Sequence, residues 1–497
     1  MTFSLLDTIV VILYLSGIAL FGILMGGKQR SAKDFFVSDR ALPWWAVCGT
    51  IVATETSAIT FLSLPGVAYL GALHFLQLAA GYILGRIVVA VFLIPRYFVG
   101  DITTAYALLD ERFHPSLRRS ASAVFMGTRL FADGVRLYTT AIPLALLIEG
   151  FQLFPGSDTL SVYMIAMFVL TSLTLLYVIF GGIRAVVWTD VAQWVIYIFG
   201  AVTSIIVLST ILPGGLADQI AELASRGKLA AISLLPDSGW TGIFTEPYTL
   251  FGGLIGGAIL SMASHGTDQL IVQRVLTAGS PAPAKRAMVM SGFIIFFQFA
   301  LFLFVGSLLS LYFTDTSFTS NEVFAVFILK EMPAGVTGLI VAGILAAAMS
   351  TLSSSISALS STVMFDFITP LRKSPLGENQ ALRLSRILSV FWAVVLFGTA
   401  LLFVKTPQTV IELALSIASY TYGGLLGIFI LLLLPRRVSS MAAGCGFFVG
   451  VLGSGMVILF TPLAWTWYTL SGALITLGAA LITERIRAAL QRHGDES

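Results

Sequence analysis

The sequence predicts an all-α polytopic membrane protein with about thirteen transmembrane helices. Three observations carry that prediction. Apolar residues make up 57% of the 497, and charged residues only 11%, where a soluble chain carries roughly 25%. The apolar residues come in blocks long enough to cross a bilayer as helix, which takes about 20 residues. The basic residues gather in alternate loops, as membrane topology requires. A β-barrel would show short alternating segments instead.

The expected spans lie near 5–26, 44–72, 76–98, 121–149, 160–180, 187–212, 249–276, 286–314, 334–368, 382–404, 409–435, 439–462 and 464–484. The first has no basic run before it and no clear small-residue cleavage pattern after it, so it reads as a retained helix and not a signal peptide. Several spans exceed the bilayer thickness and must tilt, break or extend into water. One set of alternate loops holds Lys28, Arg30, Lys33, Arg40, Arg96, Arg112, Arg118, Arg119, Arg184, Arg274, Lys285, Arg286, Arg372, Lys373, Arg383, Arg386, Arg436 and Arg437, and the tail adds Arg485, Arg487 and Arg492. The other set holds only Arg226, Lys228, Lys330 and Lys405. The richer set is read as cytoplasmic, with the N-terminus outside and the C-terminus inside. The net charge of +3 points to no nucleic-acid partner. Cys48 and Cys445 lie far apart in apolar stretches and imply neither a disulfide framework nor a metal site.

The second span carries Thr54-Glu55-Thr56-Ser57-Ala58-Ile59-Thr60, then Phe61-Leu62-Ser63-Leu64-Pro65-Gly66. A carboxylate among hydroxyls, followed by Pro-Gly, reads as a helix interrupted at the midplane, where unwound carbonyls face a cation and amides an anion. In the fourth span Asp133 lies between Arg129 and Arg136 at helical spacing, which favours an internal ion pair. The sharper alternative sets one of these arginines on a solute carboxylate. Arg86 is a further arginine within a span. Gly100-Asp101 and Gly181-Gly182 read as loop punctuation. Asp190 opens the sixth span and has two readings: a buried acid with a cation or donor as partner, or a water-facing acid capping a helix N-terminus. The external stretch 213–248 includes a helical run from Leu216 to Arg226 and is too short for a domain.

The seventh span has Gly252-Gly253, Gly256-Gly257 and then Ser261-Met262-Ala263-Ser264-His265-Gly266-Thr267-Asp268. Two interrupted helices about five spans apart point to an inverted repeat with its site at the interface. Tight helix packing at the glycines is the plainer alternative. His265 reads as a satisfied polar residue more than as a proton relay. The ninth span reads Ala346-Ala347-Ala348-Met349-Ser350-Thr351-Leu352-Ser353-Ser354-Ser355. Ser350, Ser353 and Ser354 share a helix face. A wall of hydroxyls at bilayer depth suits a bare cation, and the small alanines let a neighbour come close; helix–helix glue is the plainer reading. No nucleotide motif, metal cluster or nucleophile–base pair is present, so the chain is not read as an enzyme.

Together these pieces resemble the sodium–solute symporter family from about residue 30 to the last span. The resemblance rests on Trp188-Thr189-Asp190, on Thr267-Asp268-Gln269-Leu270-Ile271-Val272-Gln273-Arg274, and on the serine-rich ninth span. It implies a LeuT-type 5+5 inverted repeat with one extra N-terminal and two extra C-terminal helices. The segments would be 1–43 (extra helix and loop), 44–212 (first repeat), 213–248 (external loop), 249–435 (second repeat) and 436–497 (last helices and tail). By motif, the sodium site would use backbone oxygens of Ala53, Thr56 and Ala347 with the hydroxyls of Ser350 and Thr351. A second sodium set would be Asp190, Ser350, Ser353 and Ser354. Matching gives a solute lining of Ser57, Thr60, Phe75, Ala79, Ala132, Arg136 and Ser264.

Sugar-type members carry a tyrosine where this chain has Ser264, which argues against a hexose. The run from Ser57 to Pro65 is similar to the sialic acid branch and, more loosely, to the iodide, monocarboxylate and vitamin branches. The arginine and glutamine of the sialic acid branch fall at Ala132 and Ala79. Glu55 is similar to an acid carried by proline-type members. The implied activity is sodium-coupled import of a small organic solute, such as a carboxylate or amino acid, by alternating access. Sodium is the coupling ion and no other cofactor is expected. The partners are the solute, sodium and the lipid bilayer, with no nucleic acid and no obligatory protein. The implied location is the plasma membrane, or the inner membrane of a bacterium. A proton-coupled carrier and a non-transporting sensor of the same fold are the alternatives.

Overall fold

In hydrocarbon every backbone amide must bond within the chain, and an α-helix does this locally. The computed structural model accordingly forms no strand among the described residues, only an isolated bridge between Leu42 and Ala278. It describes residues 4–495 except 101, 151–155, 157, 235, 237, 315–317, 319, 321, 405–407 and 436–437. At 40, 59, 143, 146, 147, 149, 150, 159, 408–419 and 493–495 it describes the backbone alone. Asp101, Lys405, Arg436 and Arg437 therefore lie outside the described residues.

The principal helices are α1 (Leu5–Gly26), α2 (Trp44–Glu55), α3 (Ala58–Leu70), α4 (Phe75–Val88), α5 (Pro115–Gly150), α6 (Thr159–Ile211), α7 (Gly257–Gly266), α8 (Gln269–Leu276), α9 (Pro281–Tyr312), α10 (Val336–Thr362), α11 (Glu378–Leu402), α12 (Gln408–Leu433), α13 (Ser440–Phe460) and α14 (Tyr468–Asp495). Helix occupies each expected span. Among the described residues seven helices are long and apolar enough to cross a membrane, and eight if α2 and α3, which meet at 65°, count as one bent span. A short helix, Leu216–Ser225, forms where the external run was expected, and another, Val323–Glu331, precedes α10.

Polar side chains fix where the helices begin. Ser4 caps α1 and bonds Asp7 in return. Asp7 also reaches across to α10: its Oδ1 accepts the amides of Gly335 at 2.7 Å and Gly338 at 2.8 Å. Two donors that the start of α10 would leave orphaned are thus satisfied by a different helix. The fifth and sixth expected spans are one run, α6, interrupted at Gly182. There φ is 57° and ψ −156°, a combination almost confined to glycine. The chain turns there against Phe35, in the short helix Ala32–Val37.

Gly182→Ala is expected to lower the unfolding temperature of the purified protein, since the strain costs about 1–3 kcal/mol. Gly398→Ala, in open space on α11, serves as the control in the same thermal melt and leaves it unchanged or slightly raised.

Candidate functional site

The first interruption falls at Thr56 and Ser57. Helix α2 closes with the Thr56 amide donating to the Val52 carbonyl at 3.1 Å. Ser57 then takes an extended conformation and caps α3, its Oγ accepting the Thr60 amide at 3.2 Å. The Ser57 amide donates to the Glu55 carbonyl at 3.1 Å. Ala53 would receive that amide in an unbroken helix, and Thr56 would receive the Thr60 amide. Both carbonyls are therefore released from their helical donors. Pro65-Gly66, expected to help break the span, lies inside α3 instead. Pro65 costs α3 one hydrogen bond, and its carbonyl lies against Gly306 of α9, where the lack of a side chain admits the close approach. Gln298 of α9, missed in the sequence, braces the break: its Nε2 donates to Thr56 Oγ1 at 2.7 Å, and its Oε1 accepts from Trp194 Nε1 at 2.8 Å.

The hydroxyl wall of α10 is buried along its length, with Ser350, Ser353 and Ser354 all within the protein and Thr351 beside them. Ser353 and Ser354 donate back to the Ser350 carbonyl at 3.0 and 2.5 Å. Ser350 Oγ donates to Asp190 Oδ1 at 2.6 Å, and Thr50 Oγ1 donates to Asp190 Oδ2 at 2.5 Å. Asp190 is fully buried and lies inside the second half of α6, past Gly182, so the helix-capping reading of this acid falls. Its countercharge is Arg274 of α8, whose Nη2 donates to Asp190 Oδ2 at 3.1 Å and also to Ser354 Oγ.

The second interruption, at Thr267 and Asp268, separates α7 from α8. Asp268 caps α8 by accepting the Leu270 amide at 2.9 Å. Its other oxygen accepts from Arg129 of α5 and from Tyr422 of α12. Glu55, at the first break, is matched in the same way by Arg86 of α4, whose Nη1 also donates to Ser291 at 2.7 Å. The third acid, Asp133, pairs with Arg136 at 3.0 Å and lies 3.7 Å from Arg129, so the ion pair expected within α5 forms while the nearer partner of Arg129 is Asp268. Beyond the break, α8 docks on α10 as a polar ladder: Gln269 donates to Ser361 at 3.1 Å, Gln273 to Ser357 at 2.9 Å, and Arg274 to Ser354.

The residues expected to line the solute path fall into three places. Ser57 and Arg136 border a small cleft whose other lining includes Asp133, Thr140 and Thr351. This brings two solute candidates together with a sodium candidate. Phe75 lies edge-on to Phe299 and tilted on Tyr248, each with ring centroids 5.5 Å apart. Ala79 packs fully buried in the apolar cluster around that region, and Thr60 shares a hydrogen bond with Ser57. Ser264 shares a 2.9 Å hydrogen bond with His265 Nδ1, whose Nε2 lies 3.6 Å from Glu55. Ala132 is completely buried and does not border the cavity. Among the described residues no three His, Cys, Asp or Glu side chains converge as a metal cluster.

The comparisons agree with this architecture. The family model described as "Sodium:solute symporter family" matches residues 35–450. The sodium/sialic acid symporter SiaT of Proteus mirabilis is 27% identical over 479 residues, which cover 95% of this chain and 93% of the relative. The sodium-dependent multivitamin transporter of Oryctolagus cuniculus is 28% identical, covering 97% of this chain and 72% of its own length. A solved outward-open, substrate-bound Na⁺-coupled sialic acid symporter superposes with a TM-score of 0.84 at 26% identity, over 97% of this chain and 98% of that one.

The Arg129–Asp268 pair ties the second break to α5. Breaking one side of a buried ion pair costs about 3–5 kcal/mol. Asp268→Asn and Arg129→Met are each expected to lower thermal stability strongly in detergent. The double variant recovers much of the loss, so a double-mutant cycle reads a large coupling between them.

Proposed function

The chain belongs to the sodium:solute symporter family, and from that premise we propose that it imports a small organic solute together with sodium by alternating access. The solute class is a carboxylate, an amino acid or a similar molecule. The observation that carries this is the meeting of two features at one level. Carbonyls of Ala53 and Thr56 are freed at the first break, and the cavity beside that break is bordered by Ser57 and by Thr351 of the hydroxyl wall. Ala53, Thr56 and Ala347 would give sodium backbone oxygens, and Ser350 and Thr351 would add hydroxyls. These are hard oxygen ligands suited to an alkali cation. Ser350 donates its proton to Asp190, which leaves its lone pairs free for an ion. The second set, Asp190, Ser350, Ser353 and Ser354, holds the Arg274 guanidinium, which a sodium ion there would have to displace.

Of the matched lining, Ser57, Thr60 and Arg136 would meet the solute at this cavity, while Phe75, Ala79, Ala132 and Ser264 do not border it and would be reached only in another state of the carrier. Arg136, the partly exposed charge at the cavity, suits a carboxylate through its forked donors. Alanine at 79 and 132 offers a solute no polar group, and Arg136, about a turn from Ala132, is the charged group that borders the cavity. We place two five-helix repeats at 44–212 and 249–435, with segments 1–43, 213–248 and 436–497 outside them, and thirteen spans in all. The N-terminus would lie outside and the C-terminus in the cytoplasm, in accord with the distribution of basic residues. Each sodium entering with the membrane potential contributes about 2.3 kcal/mol per 100 mV.

A thermal-shift screen of the purified protein against acids, amino acids, sugars and vitamins tests this reading, with and without sodium. The expected hit stabilises the protein only when sodium is present. Thr351→Ala and Ser350→Ala are expected to raise the sodium concentration for half-maximal stabilisation about tenfold, equivalent to about 1.4 kcal/mol. Unchanged sodium dependence in both variants removes the proposed site.

A further inference from the structure

Among the described residues Arg274 is one of the two largest completely buried side chains, and three other helices converge on its guanidinium. Its Nε donates to Thr50 Oγ1 of α2 at 2.9 Å and its Nη1 to the Leu270 carbonyl at 2.7 Å. Its Nη2 donates to Asp190 of α6 and to Ser354 of α10. Asp190, Ser350, Ser353 and Ser354 are the oxygen groups of the second sodium set. A single carboxylate neutralises one positive charge. Two cations sharing Asp190 in a buried site would repel each other without water to screen them. Guanidinium and sodium would therefore compete for Asp190.

An unpaired carboxylate at bilayer depth is costly, and a carrier must pass through states with no ion bound. A cation tethered to the chain removes that cost in the ion-free state. Arg274 is suited to leave as well as to stay. It rides on α8, the eight-residue half-helix after the second break, whereas Asp190 and Ser354 belong to long helices. A shift of α8 along its serine ladder would withdraw the guanidinium and open the oxygens.

We propose that Arg274 is a built-in counter-cation of Asp190 that trades places with a second sodium ion. Sodium at Asp190 is then weakened by intramolecular competition, while the site at Ala53, Thr56, Ala347, Ser350 and Thr351 is not. A site filled by its own guanidinium nine-tenths of the time loses about tenfold in apparent affinity. This rests on the sodium reading of the preceding subsection.

Equilibrium binding of ²²Na⁺ to the purified full-length protein, with sodium as the sole added ligand, tests it. The unaltered protein is expected to bind one sodium tightly, lost in Thr351→Ala, and a second about tenfold or more weaker. Arg274→Gln is expected to bind both tightly. The double variant Asp190→Asn/Arg274→Gln, in which neither charge is left unpaired, returns to one. Arg274→Lys, which keeps the tethered charge, behaves as the unaltered protein. Two sodium ions of equal affinity in the unaltered protein overturn the proposal. So does an Arg274→Gln isotherm that matches it. Where Arg274→Gln fails to fold, the two-class isotherm of the unaltered protein and the single class of the double variant still decide. No sodium binding at all defeats the sodium site itself, a different failure.

Discussion

A charge carried into hydrocarbon must bring its opposite with it, and the interior of this protein is arranged around that constraint. Arg86 meets Glu55, Arg129 meets Asp268, Arg136 meets Asp133, Arg274 meets Asp190, and Arg118 meets Asp366. Removing one member of such a pair is far more damaging than never having had it. Two of the acids stand at the two helix breaks, where freed backbone would otherwise be loose. An arginine from an intact helix holds each of them. The breaks are thus held at fixed points by electrostatics, while the Ala53 and Thr56 carbonyls at the first are released from their helical donors.

The same arrangement links the two oxygen clusters. Asp190 receives the Ser350 proton, so the acid decides which way that hydroxyl points. A hydroxyl that donates on one side presents lone pairs on the other. A cation against Asp190 would therefore influence the oxygen that Ser350 offers to the proposed sodium site. Coupling between the two positions needs no long path, only one serine, and it acts equally in both directions.

Much of this was legible in the chain. Hydropathy marked where the helices form, because lipid demands long apolar helices and little else. Polar runs inside two spans gave the breaks, and serine spacing in α10 gave the buried hydroxyl face. The pairing of charges was legible only for Asp133 and Arg136, one turn apart on one helix. Glu55–Arg86, Asp268–Arg129 and Asp190–Arg274 join different helices, and no local spacing encodes such a meeting. Gln298 was invisible for the same reason. Pro65-Gly66 misled because a helix can carry a proline in its interior at the loss of one bond, and here α3 runs through it with α9 packed close at Gly306. The alanines at 79 and 132 were read from a motif, and the structure adds that neither reaches the cavity shared by Ser57, Arg136 and Thr351.

The carboxylate of Asp7 gives the first helix a standing that its place at the start of the chain conceals. It supplies the electronegative end that α10 lacks at Gly335 and Gly338. Without α1, this hydroxyl-rich rod would begin with two amides stripped of their acceptor. What looks like an appendage completes the start of α10.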